Sequence, residues 1–116
     1  MRKVSNKEMS FNEYQVRTSW TAIYPKNKAV EYLGLGLVSE AGEVAGKLKK
    51  VIRDGNGIID SGTRDALCSE LGDVMWYLAQ LCTVLEVNMS TVAKKNLDKL
   101  AARKEAGTLS GNGDER

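Results

Sequence analysis

Two long helical patterns joined by a short turn-rich segment constrain this fold more than any other feature of the sequence. The first contains SEAGEVAGKLKK at 39–50, and the second contains ELGDVMWY at 70–77. Glycine, asparagine and aspartate at 54–57, with Ser61-Gly62, mark a turn between them. In both patterns apolar residues recur at three- and four-residue steps. A short connection predicts that the two helices run antiparallel as neighbours.

Each of these helices carries two carboxylates three positions apart, Glu40 with Glu43 and Glu70 with Asp73. Residues at this spacing share one helix face. At about 1.5 Å rise per residue, both pairs should lie about 15 Å from the turn, at the same level. Four carboxylates at one level repel each other, and a divalent cation held by oxygen ligands would stabilise them. The alternative is a solvated helix surface with i,i+4 ion pairs.

The whole chain is predicted to be all-α, an antiparallel bundle of about four helices that is completed by oligomerisation. Residues 1–9 should be flexible, 10–107 should form one domain, and 108–116 should be a polar, glycine-rich tail. Ser10 begins a capping box, and Gly107 fits the C′ position of the last helix. The predicted helices run from Phe11 to about Ile23, from Lys28 or Ala29 to Arg53, from a Thr63 N-cap through Leu85, and from Thr91, with Ser90 as cap, to about Ala106.

The composition excludes several functions. A formal net charge of +2 over 116 residues argues against a nucleic-acid binder driven by phosphate neutralisation. We expect no signal peptide and no membrane span. Cys68 and Cys82 lie about 21 Å apart along one helix, so they should be packing residues in a reducing compartment, the cytoplasm. The absence of histidine excludes imidazole-bound zinc and Ser-His or Cys-His catalysis. Oxygen-bound Mg²⁺, with Mn²⁺ as a substitute, remains.

Glycines and tryptophans in the helices leave alternatives open. Four glycines lie within the second predicted helix, where each costs up to about 1 kcal/mol relative to alanine. They either permit close approach of another helix or a ligand, or are tolerated weak positions. Trp20 and Trp76 are more typical of core or interface residues than of platforms for a nucleobase. The four glycines are Gly34, Gly36, Gly42 and Gly46.

The two acidic pairs are separated by a spacer of 26 residues. They resemble the E-x-x-E … E-x-x-D signature of MazG-type nucleotide pyrophosphohydrolases, in the all-α NTP pyrophosphatase superfamily. The surrounding sequence is also similar to that family. FNEYQ at 11–15 and TAIYP at 21–25 resemble its opening, and NLDKL at 96–100 with Arg103 resembles the N-x-x-K-L-x-x-R element of its last helix. The resemblance covers about residues 10–113.

The resemblance implies a helical bundle that assembles as a homodimer or homotetramer and hydrolyses a nucleoside triphosphate, such as a dNTP, with Mg²⁺. Cleavage would fall between the α and β phosphates and give a nucleoside monophosphate and pyrophosphate. Glu40, Glu43, Glu70 and Asp73 would be the metal ligands. Some members carry a glutamate as general base where this chain has Ser39. Here a ligand carboxylate, Glu43 or Glu40, or simply metal-bound hydroxide would take that role.

Candidate substrate-binding residues come from three parts of the chain. The resemblance assigns Asn96 and Lys99 to phosphate groups and Tyr77 to the base or sugar. Lysines near the acidic pairs and on the last helix would neutralise the charge of the leaving pyrophosphate. The further candidates are Lys47, Lys50, Arg103 and, for the nucleobase, Gln15.

The competing hypothesis is a non-catalytic helical module, either an oligomeric scaffold or a regulatory partner. It predicts that Mg²⁺ and nucleotide leave the melting temperature unchanged, since a ligand of the native state would raise it.

Overall fold

The computed structural model describes residues 8–107, and in this part of the chain it contains four α-helices and no strand. The all-α prediction is therefore confirmed. Two short 3₁₀ turns, Ser19–Thr21 and Lys26–Lys28, connect the first helix to the second. The predicted tail at 108–116 and most of the predicted flexible N-terminus, 1–7, lie outside the described residues. The helices are α1 (Phe11–Thr18), α2 (Ala29–Asp54), α3 (Ser61–Val84) and α4 (Met89–Ala106).

Helices α2 and α3 form an antiparallel hairpin, as predicted, and make the most extensive contact between elements. Tyr77 packs over Gly36 near one end, and Lys47 lies 3.7 Å from Glu70 nearer the turn. Leu33, which is fully buried, joins Tyr24 and Ala29 in a cluster that packs against the α3 side chains of 76, 77, 81 and 84. The hairpin is thus the frame on which the other helices are placed.

The helix starts differ from prediction at two of the four N-termini. Asp60, not Thr63, caps α3, because its carboxylate accepts the backbone N–H of Thr63 at 2.8 Å. Helix α4 begins at Met89 after Asn88, not after Ser90. The predicted caps at Ser10 and Gly107 are confirmed: the Ser10 hydroxyl accepts the Glu13 N–H, and Gly107 has a φ of 71° in the left-handed region.

Helix α1 is shorter than predicted, and its buried residues are polar. It ends at Thr18 rather than near Ile23, because the Thr18 and Thr21 hydroxyls donate to backbone carbonyls three residues earlier, at 2.6 and 3.1 Å. Such bonds compete with regular helix formation. Within α1, Phe11 and Val16 are exposed, whereas the polar Gln15 and Thr18 are buried. After the helix, Trp20 and Ile23 are 93% and 94% exposed.

Two buried glutamines hold α1 to the rest of the bundle. Gln80 of α3 is 1% exposed; its amide donates to the Thr18 hydroxyl at 2.8 Å, and its carbonyl accepts the Tyr24 hydroxyl at 2.7 Å. Gln15 donates to Val87 O at 2.9 Å and accepts the backbone N–H of Met89 at 2.7 Å. Buried amides with partners at both ends fix the position of α1 closely.

The two cysteines have different environments, and both are free thiols. Cys82 is buried in a cluster with Ala79 and Met89, where burial raises the pKa of its thiol. Cys68 is exposed. The prediction that both cysteines pack in the core is therefore correct for Cys82 and wrong for Cys68.

Candidate metal and nucleotide site

Three of the four predicted carboxylates converge between α2 and α3. Oxygens of Glu40, Glu70 and Asp73 all lie within 4.8 Å of one another. Glu40 and Glu70 are half-buried and Asp73 is exposed, so the cluster opens to solvent on one side. Three carboxylates at this separation form a donor set that suits a hard divalent cation such as Mg²⁺ or Mn²⁺.

Burial and neighbouring acids disfavour the ionised form of Glu40. Burial is the largest cause that raises the pKa of Glu40. A hydrogen bond with Glu70 and the negative charges of Asp73, Glu70 and Glu43 raise it further. Like charges this close favour retention of a proton, and a bound cation would favour its release. The residues therefore fit a divalent cation chemically as well as geometrically.

Glu43 does not join this group within the described residues. It lies one helical turn beyond Glu40 and is exposed, although its charge reaches Glu40. The role of Glu43 as a ligand or base stays a prediction that the geometry supports less directly than that of the other three acids.

A basic edge adjoins the acidic cluster. The Lys47 ammonium group lies 3.7 Å from a Glu70 carboxylate oxygen, and these side chains are 33% and 17% exposed. Lys47 and Lys50 also line an open cavity of about 390 Å³ beside the α2–α3 turn, together with Asp60 and Thr63. The hairpin thus places both predicted lysines on the turn side of the carboxylates, within reach of an anion held there.

An aromatic cavity of about 320 Å³ adjoins the acids on the side away from the turn. It is lined by Thr21, Glu40, Asp73, Trp76 and Tyr77. The Trp76 and Tyr77 rings meet edge to face, with centroids 5.1 Å apart. A group bound in this cavity would therefore touch aromatic surface and carboxylate together.

Close packing over a glycine positions the Tyr77 ring. A Cβ added at Gly36 would overlap the ring, lying 2.5 Å from Cδ1 and Cζ, whereas one added at Gly34, Gly42 or Gly46 would meet nothing within 4 Å. Burial first, and then the neighbouring Tyr32 and Glu40, raise the pKa of the Tyr77 hydroxyl. The close-approach alternative is thus confirmed at Gly36.

Residues of α1 and the turn after it contribute more to this region than the sequence pattern suggested. The Trp76 indole N–H donates to the Thr21 hydroxyl at 2.8 Å, which fixes one wall of the aromatic cavity. Burial, followed by the charge of Asp73, raises the pKa of Tyr14. Trp20 lines an adjacent cavity of about 310 Å³ with Tyr14, Arg17 and Trp76. Of these positions, Tyr14 and Thr21 lie in the FNEYQ and TAIYP segments, which gave the sequence signal for this region.

The other predicted substrate residues line neither of the two cavities next to the acids. Gln15 is buried and its amide already has partners at both ends, as described above. Asn96 and Lys99 are exposed on α4, and Arg103 is buried there. Helix α4 packs against α1 and lines neither of the two cavities next to the acids. Lys99 and Arg103 each interact with a neighbouring group. Their substrate roles stay predictions.

No helix of the described chain is long and apolar enough to cross a membrane.

Comparison with known proteins identifies clear relatives. The family model described as the MazG nucleotide pyrophosphohydrolase domain matches residues 28–108, which include α2, α3 and α4. The "Gene 37 protein" of Mycobacterium phage L5 is 48% identical over 114 residues, covering 93% of this chain and all of that protein. No solved structure matches.

Proposed function

Because the chain belongs to the MazG nucleotide pyrophosphohydrolase family, we propose that it hydrolyses nucleoside triphosphates, dNTPs among them, between the α and β phosphates with Mg²⁺. The products are a nucleoside monophosphate and pyrophosphate. The observation that carries the proposal is the convergence of Glu40, Glu70 and Asp73 between a basic edge and an aromatic cavity. We further propose that it acts in the cytoplasm as a homodimer or homotetramer.

The three carboxylates hold the cation, with Glu43 as a further candidate ligand one turn along α2. Mg²⁺ bound there would hold phosphate oxygens and lower the pKa of an attacking water. Glu43 and Glu40 are the candidate general bases in this chain, because both are carboxylates of α2 beside the proposed cation. A general base must lie within hydrogen-bond reach of the water that it activates.

The two cavities orient the substrate along the hairpin. Lys47 and Lys50 attract the β and γ phosphates toward the turn, and they stabilise the charge that develops on pyrophosphate as it leaves. Tyr77 and Trp76 contact the base and sugar on the opposite side of the carboxylates. The ion pair of Lys47 with Glu70 keeps the ammonium group at the edge of the site before substrate binds.

Product analysis with a panel of the eight common NTPs and dNTPs tests this proposal. Wild-type protein with Mg²⁺ should release pyrophosphate and monophosphate from at least one of them, and EDTA should abolish the release. Release of inorganic phosphate and a diphosphate would contradict the proposed bond, and no turnover from folded protein would contradict the proposed activity.

Matched substitutions on α3 test the site. Asp73→Asn should reduce kcat/KM by at least about 100-fold, as loss of a charge that stabilises the transition state commonly does. Asp65→Asn removes an exposed carboxylate of the same helix outside the cluster and should leave turnover unchanged. Equal activity of the two variants would refute the assignment of Asp73.

A further inference from the structure

Two cavities of similar size meet at one pair of side chains, Thr21 and Trp76. The cavity next to the acids has a volume of about 320 Å³, and the cavity that Trp20 lines has a volume of about 310 Å³. Thr21 and Trp76 line both of them, and the Trp76 indole N–H donates to the Thr21 hydroxyl at 2.8 Å. This bonded pair therefore forms the boundary between the two cavities, and we call it the partition.

The Thr21 hydroxyl is held in place from the side of α1. It donates to the backbone carbonyl of Thr18 at 3.1 Å. A hydroxyl has one hydrogen, so this bond leaves its oxygen to serve the indole as an acceptor. Thr18 is 5% exposed, and its own hydroxyl accepts the Gln80 amide at 2.8 Å. A buried side chain of α3 thus anchors the turn that presents Thr21.

The Trp76 indole depends on Thr21 for its orientation. An indole has one hydrogen-bond donor and no acceptor, and rotation about its χ2 is broad. Tyr77 and Tyr24 meet the ring at nearly right angles, with centroids 5.1 and 6.4 Å from its own. Such ring contacts are less directional than a hydrogen bond. The bond to Thr21 is therefore the contact that sets which way the ring faces.

The partition limits the space next to the acids. A volume of about 320 Å³ lies near the lower end of the range of ligand pockets, about 300–1,000 Å³. If the indole rotated away from Thr21, the two cavities would join and offer about twice that volume. A pyrimidine base has one ring and a purine has two, so the separate cavity suits the pyrimidine better.

We propose that Thr21 is a specificity-determining residue: its hydrogen bond to Trp76 keeps the two cavities separate and so favours pyrimidine over purine nucleotides. The inference rests on the proposed function, because it places the base of that substrate in the cavity beside Glu40 and Asp73. Pockets discriminate strongly by size, since one additional methylene group already changes kcat/KM by about 10- to 200-fold. Thr21 would thus set the choice of substrate without touching the phosphates that react.

Exchange of the indole proton tests the partition without reference to turnover. The chain has two tryptophans, so Trp20→Phe leaves the Trp76 indole signal alone in a ¹H–¹⁵N NMR spectrum. In this background Thr21→Val should speed exchange of that proton by at least about 2-fold, the smallest effect expected for one net hydrogen bond. Thr21→Ser keeps the hydroxyl and should restore slow exchange. Equal exchange in the Val and Ser variants would overturn the proposal.

The ratio of kcat/KM for dCTP and dATP tests the choice of substrate. Both bases carry an exocyclic amine on the pairing edge, so the comparison isolates the size of the base. Wild-type protein should favour dCTP by at least about 10-fold, and Thr21→Val should lower that ratio by at least about 5-fold, mainly through KM for dATP. Thr21→Ser should keep the wild-type ratio. Thr91→Val makes the same change at an exposed position of α4 that lines neither cavity, and it should keep the ratio too. A wild type that favours dATP, or an unchanged ratio in Thr21→Val, would overturn the proposal.

Failure of the proposed function would give a different result, namely no turnover of any nucleotide by folded protein. The same comparison can then be made by binding. The α,β-imido analogues of dCTP and dATP are titrated into the Trp20→Phe protein, and Trp76 emission reports the Kd. The analogue of dCTP should bind more tightly, and Thr21→Val should narrow the difference. Equal affinity for the two analogues, or binding of neither, would overturn the inference.

Discussion

Helix propensity alone predicts that Gly36→Ala stabilises the protein, and we expect that it does not. Glycine within a helix costs about 1 kcal/mol relative to alanine, so the substitution would stabilise α2 if space allowed. A Cβ at this position, however, would overlap the Tyr77 ring. Displacing a packed ring costs about 1–3 kcal/mol, so Gly36→Ala should be neutral or destabilising by up to about 2 kcal/mol.

Gly46→Ala is the matched control on the same helix. A Cβ there meets nothing within 4 Å, so the variant should gain up to about 1 kcal/mol of stability. Urea unfolding at one protein concentration should therefore separate the two variants by about 1–3 kcal/mol, which corresponds to roughly 4 °C in Tm for each kcal/mol.

A double-mutant cycle assigns the difference to the ring. When Tyr77 is replaced by alanine, Gly36→Ala should behave like Gly46→Ala and stabilise the protein. In the background with Tyr77 intact, Gly36→Ala should also lower kcat/KM, because the ring lines the cavity next to Glu40. Equal stabilisation by Gly36→Ala and Gly46→Ala would refute the reasoning.

Three further substitutions test the interior, a helix cap and the acidic cluster. Gln80→Ala removes an amide that bonds the Tyr24 hydroxyl and should cost about 3 kcal/mol in urea unfolding; a loss below 1 kcal/mol would contradict this. Asp60→Ala should lower Tm more than Thr63→Ala, because the Asp60 carboxylate is the cap of α3. The pKa of Asp60 is lowered, so its stabilisation is lost as pH falls, and the difference in Tm between the two variants should disappear in acid. The pKa of Glu40 is raised, so in EDTA its contribution to stability is present below pH 4.5 and is lost as pH rises through the raised pKa. Glu40→Gln should remove that part of the pH dependence, and identical pH profiles of variant and wild type would contradict it.

The hairpin was predictable because its geometry depends on local spacing. A constant rise per residue placed the two acidic pairs at one level, and the structure brings three of the four acids, Glu40, Glu70 and Asp73, together. Glu43 falls outside the group of three, although it is spaced from Glu40 as Asp73 is from Glu70. Counting positions along the chain gave the level of the acids but not their direction.

The burial pattern of α1 and the role of each glycine depend on contacts between helices, which the spacing along one helix does not contain. Helix α1 buries Gln15 and Thr18, not its apolar residues, because the amide of Gln15 binds the start of α4 and the Thr18 hydroxyl meets Gln80. Which of the four glycines permits close approach also depends on a residue 41 positions away, Tyr77 beside Gly36. Patterns within one helix cannot select such pairs.

The packing of α4 also depends on contacts that the spacing within one helix does not contain. Its periodicity and its Gly107 end were predictable, but the helix against which it packs was not. Asn96, which the resemblance assigns to phosphate groups, lies at the surface of α4. The substrate roles of the α4 residues therefore depend on the family resemblance rather than on this geometry.

Anomalous diffraction from crystals grown with Mn²⁺ tests the central claim most directly, because it locates the ion without reference to activity. We predict an ion within coordination distance of the carboxylate oxygens of Glu40, Glu70 and Asp73, between α2 and α3. Mn²⁺ bound only elsewhere on the chain, or no ion at a concentration that supports turnover, would contradict a metal site at these three acids.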